Sequence, residues 1–325
     1  MTSKITLFPA DINFQATQDA TLLESALSAG VVLEHSCKNG SCGLCESKLL
    51  AGSVIDTEGK VYEAQQSFLT CQCKANSNEV AIEAEYFPEL AELTKKISPA
   101  KVSAAEYNGE FLTLKFRLPP TANFRYLAGQ YINLHYNGLV RSYSVANADS
   151  AEGIELHIRK VPAGAMSEQL FNVEVAPNTL MRIEGPIGTF FVREDQRPII
   201  FLAGGTGFAP VKAMVEQLLA AQSQREIHIY WGMRTAADFY STLPNDWASQ
   251  YAHIKFVPVV SEDDVTWQGR SGLVHQAVLS DFTDLSAFCV YACGSPLMIN
   301  AAKADFVNYG LSEKKFFSDA FTVSK

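Results

Sequence analysis

The chain has 325 residues, 47% of them hydrophobic and 19% charged, with a formal net charge of −9. This composition excludes disorder and fibrous repeats, and the length accommodates two or three domains with cores of their own. The acidic balance excludes a nucleic-acid surface, because phosphates would be repelled, and no apolar run approaches the ~18–20 residues that a bilayer crossing needs. The N-terminus, Met-Thr-Ser-Lys-Ile, lacks the charged-then-apolar pattern of a secretory signal. The expectation is a cytoplasmic protein with neither a nucleic-acid nor a membrane partner.

Residues 1–90 hold twelve acidic residues against five lysines and no arginine, which is seven of the nine net negative charges. Five of the seven cysteines, Cys37, Cys42, Cys45, Cys71 and Cys73, fall in the same stretch. This asymmetry marks a separate module. Its acidic surface reads equally as a solvated face or as a docking face for a basic partner. It opens with an apolar segment, Ile5 to Phe8, followed by a helix that starts at Thr21 and Glu24 with capping-box spacing and stops at Gly30. Lys48-Leu49-Leu50 and the alternating Val80 to Glu83 read as strands. Residues 88–99 are polar and bracketed by prolines, as in a linker.

From about residue 100 to 195 the signal is short alternating strands, Phe111 to Phe116, Tyr131 to Tyr136 and Ile154 to Arg159, separated by turn residues. That pattern predicts a small antiparallel barrel. From about 197 it changes to solid apolar strands alternating with helices: Ile199 to Ala203, a helix over Pro210 to Ala221, Ile227 to Trp231, Ile254 to Val260 and Phe288 to Ala292. Such alternation predicts a doubly wound parallel sheet.

The strongest motif is Cys37-x4-Cys42-x2-Cys45 with Leu69-Thr70-Cys71 downstream. Plant-type ferredoxins use this spacing to hold a [2Fe–2S] cluster by four thiolates. Glycines at 40 and 43 let the backbone fold around it. Buried free cysteines and a zinc site are the competing readings; the C-x4 step and the distant fourth cysteine disfavour both. Spacing alone leaves Cys71 and Cys73 as alternatives for the fourth ligand, since on an extended segment they point to the same face.

Arg141-Ser142-Tyr143-Ser144 follows a barrel strand. Arginine can pair with a pyrophosphate, tyrosine can face an isoalloxazine, and serine offers a hydroxyl. Ile154 to Lys160, including His157, Ile158 and Lys160, and Gly164-Ala165-Met166-Ser167 come next. In the last module Gly204-Gly205-Thr206-Gly207 follows the apolar strand and starts a helix, where glycines and the helix N-terminus suit a phosphate. Cys293-Gly294-Ser295-Pro296 again follows a strand. Asp238 and Arg234 give opposite hints about the nucleotide. A carboxylate accepts from a ribose 2′-hydroxyl and an arginine accommodates a 2′-phosphate, and NADH is favoured.

These segments resemble, in order and spacing, the ferredoxin–NADP reductase superfamily, and the whole chain resembles one-polypeptide iron–sulfur flavoprotein reductases. Within them it is most similar to the CDP-6-deoxy-delta-3,4-glucoseen reductases, through Pro119 to Ala122, Tyr126 to Tyr131, Glu184 to Asp195, Ala209 to Lys212, Ile229 to Met233 and Phe316 to Phe321. The resemblance implies a multidomain α+β and α/β protein. It would have a β-grasp ferredoxin domain over 1–88, a linker over 89–98, an FAD-binding antiparallel β-barrel over 99–196 and an NAD-binding α/β domain over 197–325. It implies Cys71 as the last ligand. It also implies FAD on Arg141, Tyr143, Ser144, His157, Ile158, Lys160, Ala165, Met166 and Ser167. NADH would lie on Gly204, Gly205, Thr206, Gly207, Asp238, Cys293 and Gly294. Ser144 and Cys293 would sit at the reacting rings, with Phe321 as the terminal aromatic that covers the flavin. Electrons would run from NADH to FAD to [2Fe–2S] and on to a partner. In the resembled proteins that partner is a pyridoxamine-phosphate, iron–sulfur dehydratase in the 3-deoxygenation of a CDP-sugar, on the route to 3,6-dideoxyhexoses. The competing partner is an aromatic-ring or other multicomponent oxygenase.

Overall fold

Strict alternation buries Ile5 and Leu7 of the first strand on one face, which is why β1 (Thr2–Phe8) becomes the heart of a half-buried sheet. The structure, a computed structural model, describes residues 2–35, 38–40, 43–150, 153–262 and 266–321, and the chain divides into two units, residues 1–94 and 95–325. In the first unit β1 is followed by β2 (Ile12–Thr17), α1 (Leu22–Ser28), β3 (Glu46–Ala51), β4 (Ser53–Asp56), β5 (Val61–Glu63), β6 (Ser67–Leu69), β7 (Cys73–Ala75), β8 (Glu79–Glu83) and the short α2 (Pro88–Ala91). The main sheet runs β2-β1-β8-β3-β6, with β1 parallel to β8 and the other pairs antiparallel, and a smaller sheet runs β5-β4-β7. Leu22, Leu23 and Ala26 of α1 join Ile5, Leu7, Val80 and Ile82 in one core. This is the β-grasp arrangement.

The second unit begins with a six-stranded antiparallel sheet built from β9 (Lys96–Asn108), β10 (Phe111–Arg117), β11 (Tyr131–Tyr136), β12 (Leu139–Ser144), β13 (Ile154–Arg159) and β14 (Leu180–Ile187), with α3 (Ala165–Asn172) before the last strand. Its order is β12-β11-β14-β9-β10-β13, and a bridge from Val145 to Leu156 joins the two edges into a barrel. Leu112, Leu114 and Phe116 lie directly opposite Ile158, Leu156 and Ile154, so facing apolar pairs fill the interior. The polar stretch 89–98 contains the end of α2 and the start of β9. The strand is long because its first half pairs with β14 and its second half with β10.

The remaining strands, β15 (Ile199–Gly204), β16 (Ile227–Met233), β17 (Ile254–Val260), β18 (Arg270–Ser271), β19 (Cys289–Gly294) and β20 (Phe316–Ala320), form an all-parallel sheet in the order β18-β17-β16-β15-β19-β20. Helices α4 (Phe208–Ala220), α5 (Leu243–Gln250), α6 (Val274–Asp281) and α7 (Pro296–Asn308) connect it. With helices on both faces, β15 and β19 are apolar and buried throughout, as their solid runs predict. Strand order reverses between β15 and β19, which is where doubly wound sheets open a ligand crevice. One core cluster joins barrel residues Phe111, Ala128 and Phe190 to Phe208, Met214 and Trp231 of this sheet.

The capping box read from sequence is formed. The Thr21 hydroxyl accepts from Glu24 N at 3.2 Å, and the Glu24 carboxylate accepts from Thr21 N at 2.8 Å. The Thr21 backbone bond holds the Glu24 carboxyl below its usual range. Thr21→Ala is expected to lower the stability of the first unit by about 1 kcal/mol in urea denaturation at neutral pH. The backbone bond survives in the variant, but the Thr21 hydroxyl also donates to the Glu24 carboxylate at 3.0 Å. Because a depressed carboxyl stabilises only while ionised, that part of the difference should fade as pH falls below the ordinary carboxylate range.

Candidate functional site

Cys45 lies at the entry to β3, and Cys71 occupies the turn between β6 and β7. Thr70 ties the two segments, its N–H donating to the Cys45 carbonyl at 3.0 Å and its hydroxyl to the same oxygen at 3.2 Å. The sulfurs of Cys45 and Cys71 then lie 3.1 Å apart, both side chains buried. Gln72 N donates to the Leu69 carbonyl at 3.0 Å, so the chain turns here instead of staying extended. The strand alternation expected to align Cys71 with Cys73 therefore does not apply. Cys73 opens β7, where burial and the nearby Asp56 charge push its thiol up to about 11. Gly40 and Gly43 have φ of +82° and +73°, the left-handed geometry that glycine alone takes without strain. Cys37 and Cys42 lie outside the described residues. Two converging buried thiols, one at the end of a glycine-turned loop and one in the β6–β7 turn, fit a soft, thiolate-bound iron–sulfur centre.

On the barrel, β12 carries Arg141, Tyr143 and Ser144. Ser144 is 5% exposed, and its hydroxyl has no hydrogen-bond partner among the described residues. A buried orphan hydroxyl is costly unless a ligand answers it, which fits a flavin edge lying against this strand. Tyr143 packs half-buried on the barrel core, and burial pushes its phenol up to about 12. Arg141 bonds the Val140 carbonyl at 2.8 Å. Ile158 is buried in the barrel, and Lys160 is exposed with its ammonium 6.0 Å from the Phe171 ring. Ala165, Met166 and Ser167 form the first turn of α3, which no side chain caps, so its N–H groups are available to an anion. The Ser167 hydroxyl serves the loop itself, accepting from Val161 N at 3.1 Å and lying 3.0 Å from the Gly164 carbonyl. His157 is buried with Nε2 2.8 Å from Glu155 and Nδ1 3.0 Å from the Tyr240 hydroxyl. That places it between the barrel and the parallel sheet.

Gly204 ends β15, and Gly205, Thr206 and Gly207 make a single 3₁₀ turn into α4. A Cβ on Gly207 would lie 2.1 Å from the Cys293 carbonyl oxygen, so only glycine permits the turn to pass this close to β19. Cys293 is fully buried. Burial, then the charge of Asp319, keeps its thiol well above the usual range and therefore neutral. Gly294 accepts at its carbonyl from Phe321 N, 2.9 Å away, which anchors the terminal aromatic beside the switch point. A cavity of about 480 Å³ opens here, lined by Gly204, Gly205, Arg234, Asp238, Leu273 and Met298 among others. Asp238 faces it while accepting from Thr235 N at 3.1 Å, and Arg234 lies 3.6 Å from Glu110 and 3.9 Å from Glu262. The size and the glycine-lined end fit a nucleotide.

Sequence reasoning did not single out Asp319, Glu155 or Tyr240, or the role of Lys212. Asp319 is 8% exposed in β20, directly beside Cys293 in register. A lone acid in the apolar run Phe316 to Phe321 was the available signal. Lys212, a cation in the apolar first half of α4, was another.

Residues 5–76 match the 2Fe-2S iron-sulfur cluster binding domain family, 101–192 the oxidoreductase FAD-binding domain family and 201–304 the oxidoreductase NAD-binding domain family. The chain is 56% identical over 325 residues to Protein RfbI of Salmonella typhimurium, covering 100% of this chain and 98% of that protein. It is 51% identical to the CDP-6-deoxy-L-threo-D-glycero-4-hexulose-3-dehydrase reductase of Yersinia pestis, covering 100% of both. Among solved structures, the Amycolatopsis cytochrome P450 reductase GcoB superposes with a TM-score of 0.76 at 26% identity, over 99% of each chain. The chain belongs to the iron–sulfur flavoprotein reductases, NADH-dependent oxidoreductases that join a [2Fe–2S] domain, an FAD domain and an NAD domain in one polypeptide and pass electrons to a partner protein.

Proposed function

We propose that this reductase supplies electrons to a pyridoxamine-phosphate, iron–sulfur dehydratase that removes the 3-hydroxyl of a CDP-bound sugar, a step toward 3,6-dideoxyhexoses, in the cytoplasm. The observation that carries this reading is full-length 51% identity to a reductase named for a CDP-hexulose 3-dehydrase. The reading of an oxygenase reductase rests on the weaker likeness to reductase component 1 of a Comamonas terephthalate 1,2-dioxygenase, at 31% identity over 100% of this chain. No helix among the described residues is long and apolar enough to cross a membrane.

When bound, FAD supplies the conversion of a two-electron hydride donor into single electrons, the only kind a [2Fe–2S] centre can carry. We assign the ferredoxin domain to 1–88, the flavin barrel, whose first strand begins at Lys96 within the stretch read as a linker, to 96–196 and the nicotinamide domain to 197–325. Cys37, Cys42, Cys45 and Cys71 hold the cluster. Arg141 and the uncapped start of α3 take the flavin pyrophosphate, Tyr143 faces the ring, and Ser144 directs its otherwise unanswered hydroxyl at the ring edge. The Gly204–Gly207 turn and the N-terminus of α4 receive the nicotinamide nucleotide's phosphates. Asp238 lies on the ribose side of the cavity, where a carboxylate favours NADH over a 2′-phosphate. Cys293, a neutral buried thiol, packs at the nicotinamide end, with Phe321 held beside it through Gly294.

Anaerobic titration with NADH, followed in the visible spectrum, should take up about three electrons per chain, two on FAD and one on the cluster. Bleaching that stops at flavin alone would remove the cluster from the reading. Cys71→Ser should lose iron and the cluster's visible absorbance, while Cys73→Ser keeps both; iron analysis of the purified variants decides between the two thiols. Phe321→Ala should change the rate of flavin reduction by NADH in stopped flow by about tenfold, the scale of a lost aromatic contact at the reacting rings. Genomic neighbours separate the partners: nucleotide-sugar genes support the dehydratase, oxygenase subunits the alternative.

A further inference from the structure

Glu155, on β13 of the barrel, is the hub of a buried polar cluster that the electron path leaves without a task. Its Oε1 lies 3.1 Å from Lys212 Nζ and 2.8 Å from His157 Nε2, and its Oε2 lies 3.8 Å from Lys115 Nζ. Lys212, in α4, is only 6% exposed. Its ammonium also donates to the Ala146 carbonyl at 2.9 Å and lies 2.7 Å from Glu216 Oε1, so its three N–H donors meet three acceptors. Glu216 in turn accepts from Ala148 N at 3.1 Å.

The other arm runs through His157 to Tyr240. Burial opposes ionisation of Glu155, but the hydrogen bond from His157 and the Lys212 charge overcome it and hold the carboxyl at about 2. Burial keeps His157 neutral. An ionised carboxylate accepts from Nε2–H, which leaves Nδ1 as the acceptor for the Tyr240 hydroxyl. Tyr240 stacks on Phe111 at 4.6 Å and meets the Trp231 ring edge-on at 5.1 Å.

One barrel carboxylate is thus tied to two separate places on the nicotinamide domain. The first is the helix that begins at the Gly204–Gly207 turn, and the second is the segment that follows β16. The backbone acceptor Ala146 and donor Ala148 sit two and four residues after Ser144. We propose that Glu155, Lys212 and Tyr240 are positioning residues that set the distance and angle between the nicotinamide-binding turn and the flavin strand. This rests on the electron-transfer reading above. A single point of attachment would let one body rock about it; the bonds of Lys212 to Ala146 and of Glu216 to Ala148 anchor α4 to the barrel away from Glu155 and prevent that. Hydride transfer is sensitive to such rocking, since a misplacement of about 1 Å can cost on the order of 100-fold in rate.

The test uses full-length protein loaded with FAD, comparing Lys212→Met, Lys212→Arg and Tyr240→Phe with the unaltered chain by stopped-flow reduction. Lys212→Met should keep its flavin content and half-saturating NADH within about twofold while the saturating reduction rate falls about tenfold or more. Lys212→Arg should recover most of the rate, and Tyr240→Phe should lower it. An unaltered rate in Lys212→Met, or a loss of rate that only parallels loss of bound flavin, overturns the proposal. If Lys212→Met does not fold, Tyr240→Phe decides alone: a lowered rate with flavin retained supports the role, and an unaltered rate overturns it. Unaltered protein that NADH fails to reduce overturns the electron-transfer reading instead.

Discussion

Hydride transfer requires two nucleotide sites on two different folds to meet at contact distance, and the architecture of residues 95–325 answers that constraint. A barrel and a parallel sheet could each fold around its own core. Each does have such a core, and the two folds also share a further cluster, in which Phe111 and Phe190 from the barrel pack with Phe208 and Trp231 from the sheet. Apolar contact of this kind is strong but non-directional, so it brings the two folds together without fixing the angle between them. Directional bonds around Lys212 and Glu155 add the missing orientation.

Close backbone approach does similar work at the switch point. Parallel strands β15 and β19 run side by side, and the turn after one passes against the carbonyl at the end of the other. Only glycine at 207 makes this possible, and the same absence of a side chain leaves the turn open to a phosphate. One steric requirement therefore serves packing and binding together. In the ferredoxin domain a hydrogen bond plays the corresponding part, since Thr70 clasps Cys45 and thereby brings the Cys71 sulfur to its partner.

Much of this was legible in the chain. The apolar alternation of β8, β10 and β13, the Thr21 capping box and the solid runs of β15 and β19 report local rules that the tertiary structure obeys. The glycine turn and the cysteine spacing are short-range patterns whose chemistry demands them. What was not legible depended on contacts between segments far apart in sequence. The turn at Gln72 separates Cys71 from the strand geometry of Cys73, yet nothing in Thr70-Cys71-Gln72-Cys73 announces it. The polar stretch before residue 99 reads as a linker because β9 gets its pairing from β14, more than 80 residues later. Lys212 looks like any helix lysine until Glu155 and Ala146 are brought to it.

A buried lysine is an expensive way to join two domains, because removing an ammonium from water costs several kcal/mol before any partner repays it. Apolar side chains of similar volume would often hold the interface as well or better. An energetic account of stability alone therefore does not explain why α4 carries a cation where its neighbours are Val211, Ala213 and Met214. Geometry does. An apolar side chain tolerates small sliding of the surface against it, whereas an ammonium with three fixed acceptors loses a strong bond for each displacement. The interface thus trades stability for a narrow range of allowed positions, and hydride transfer between two separately folded sites is the step that requires that range to be narrow.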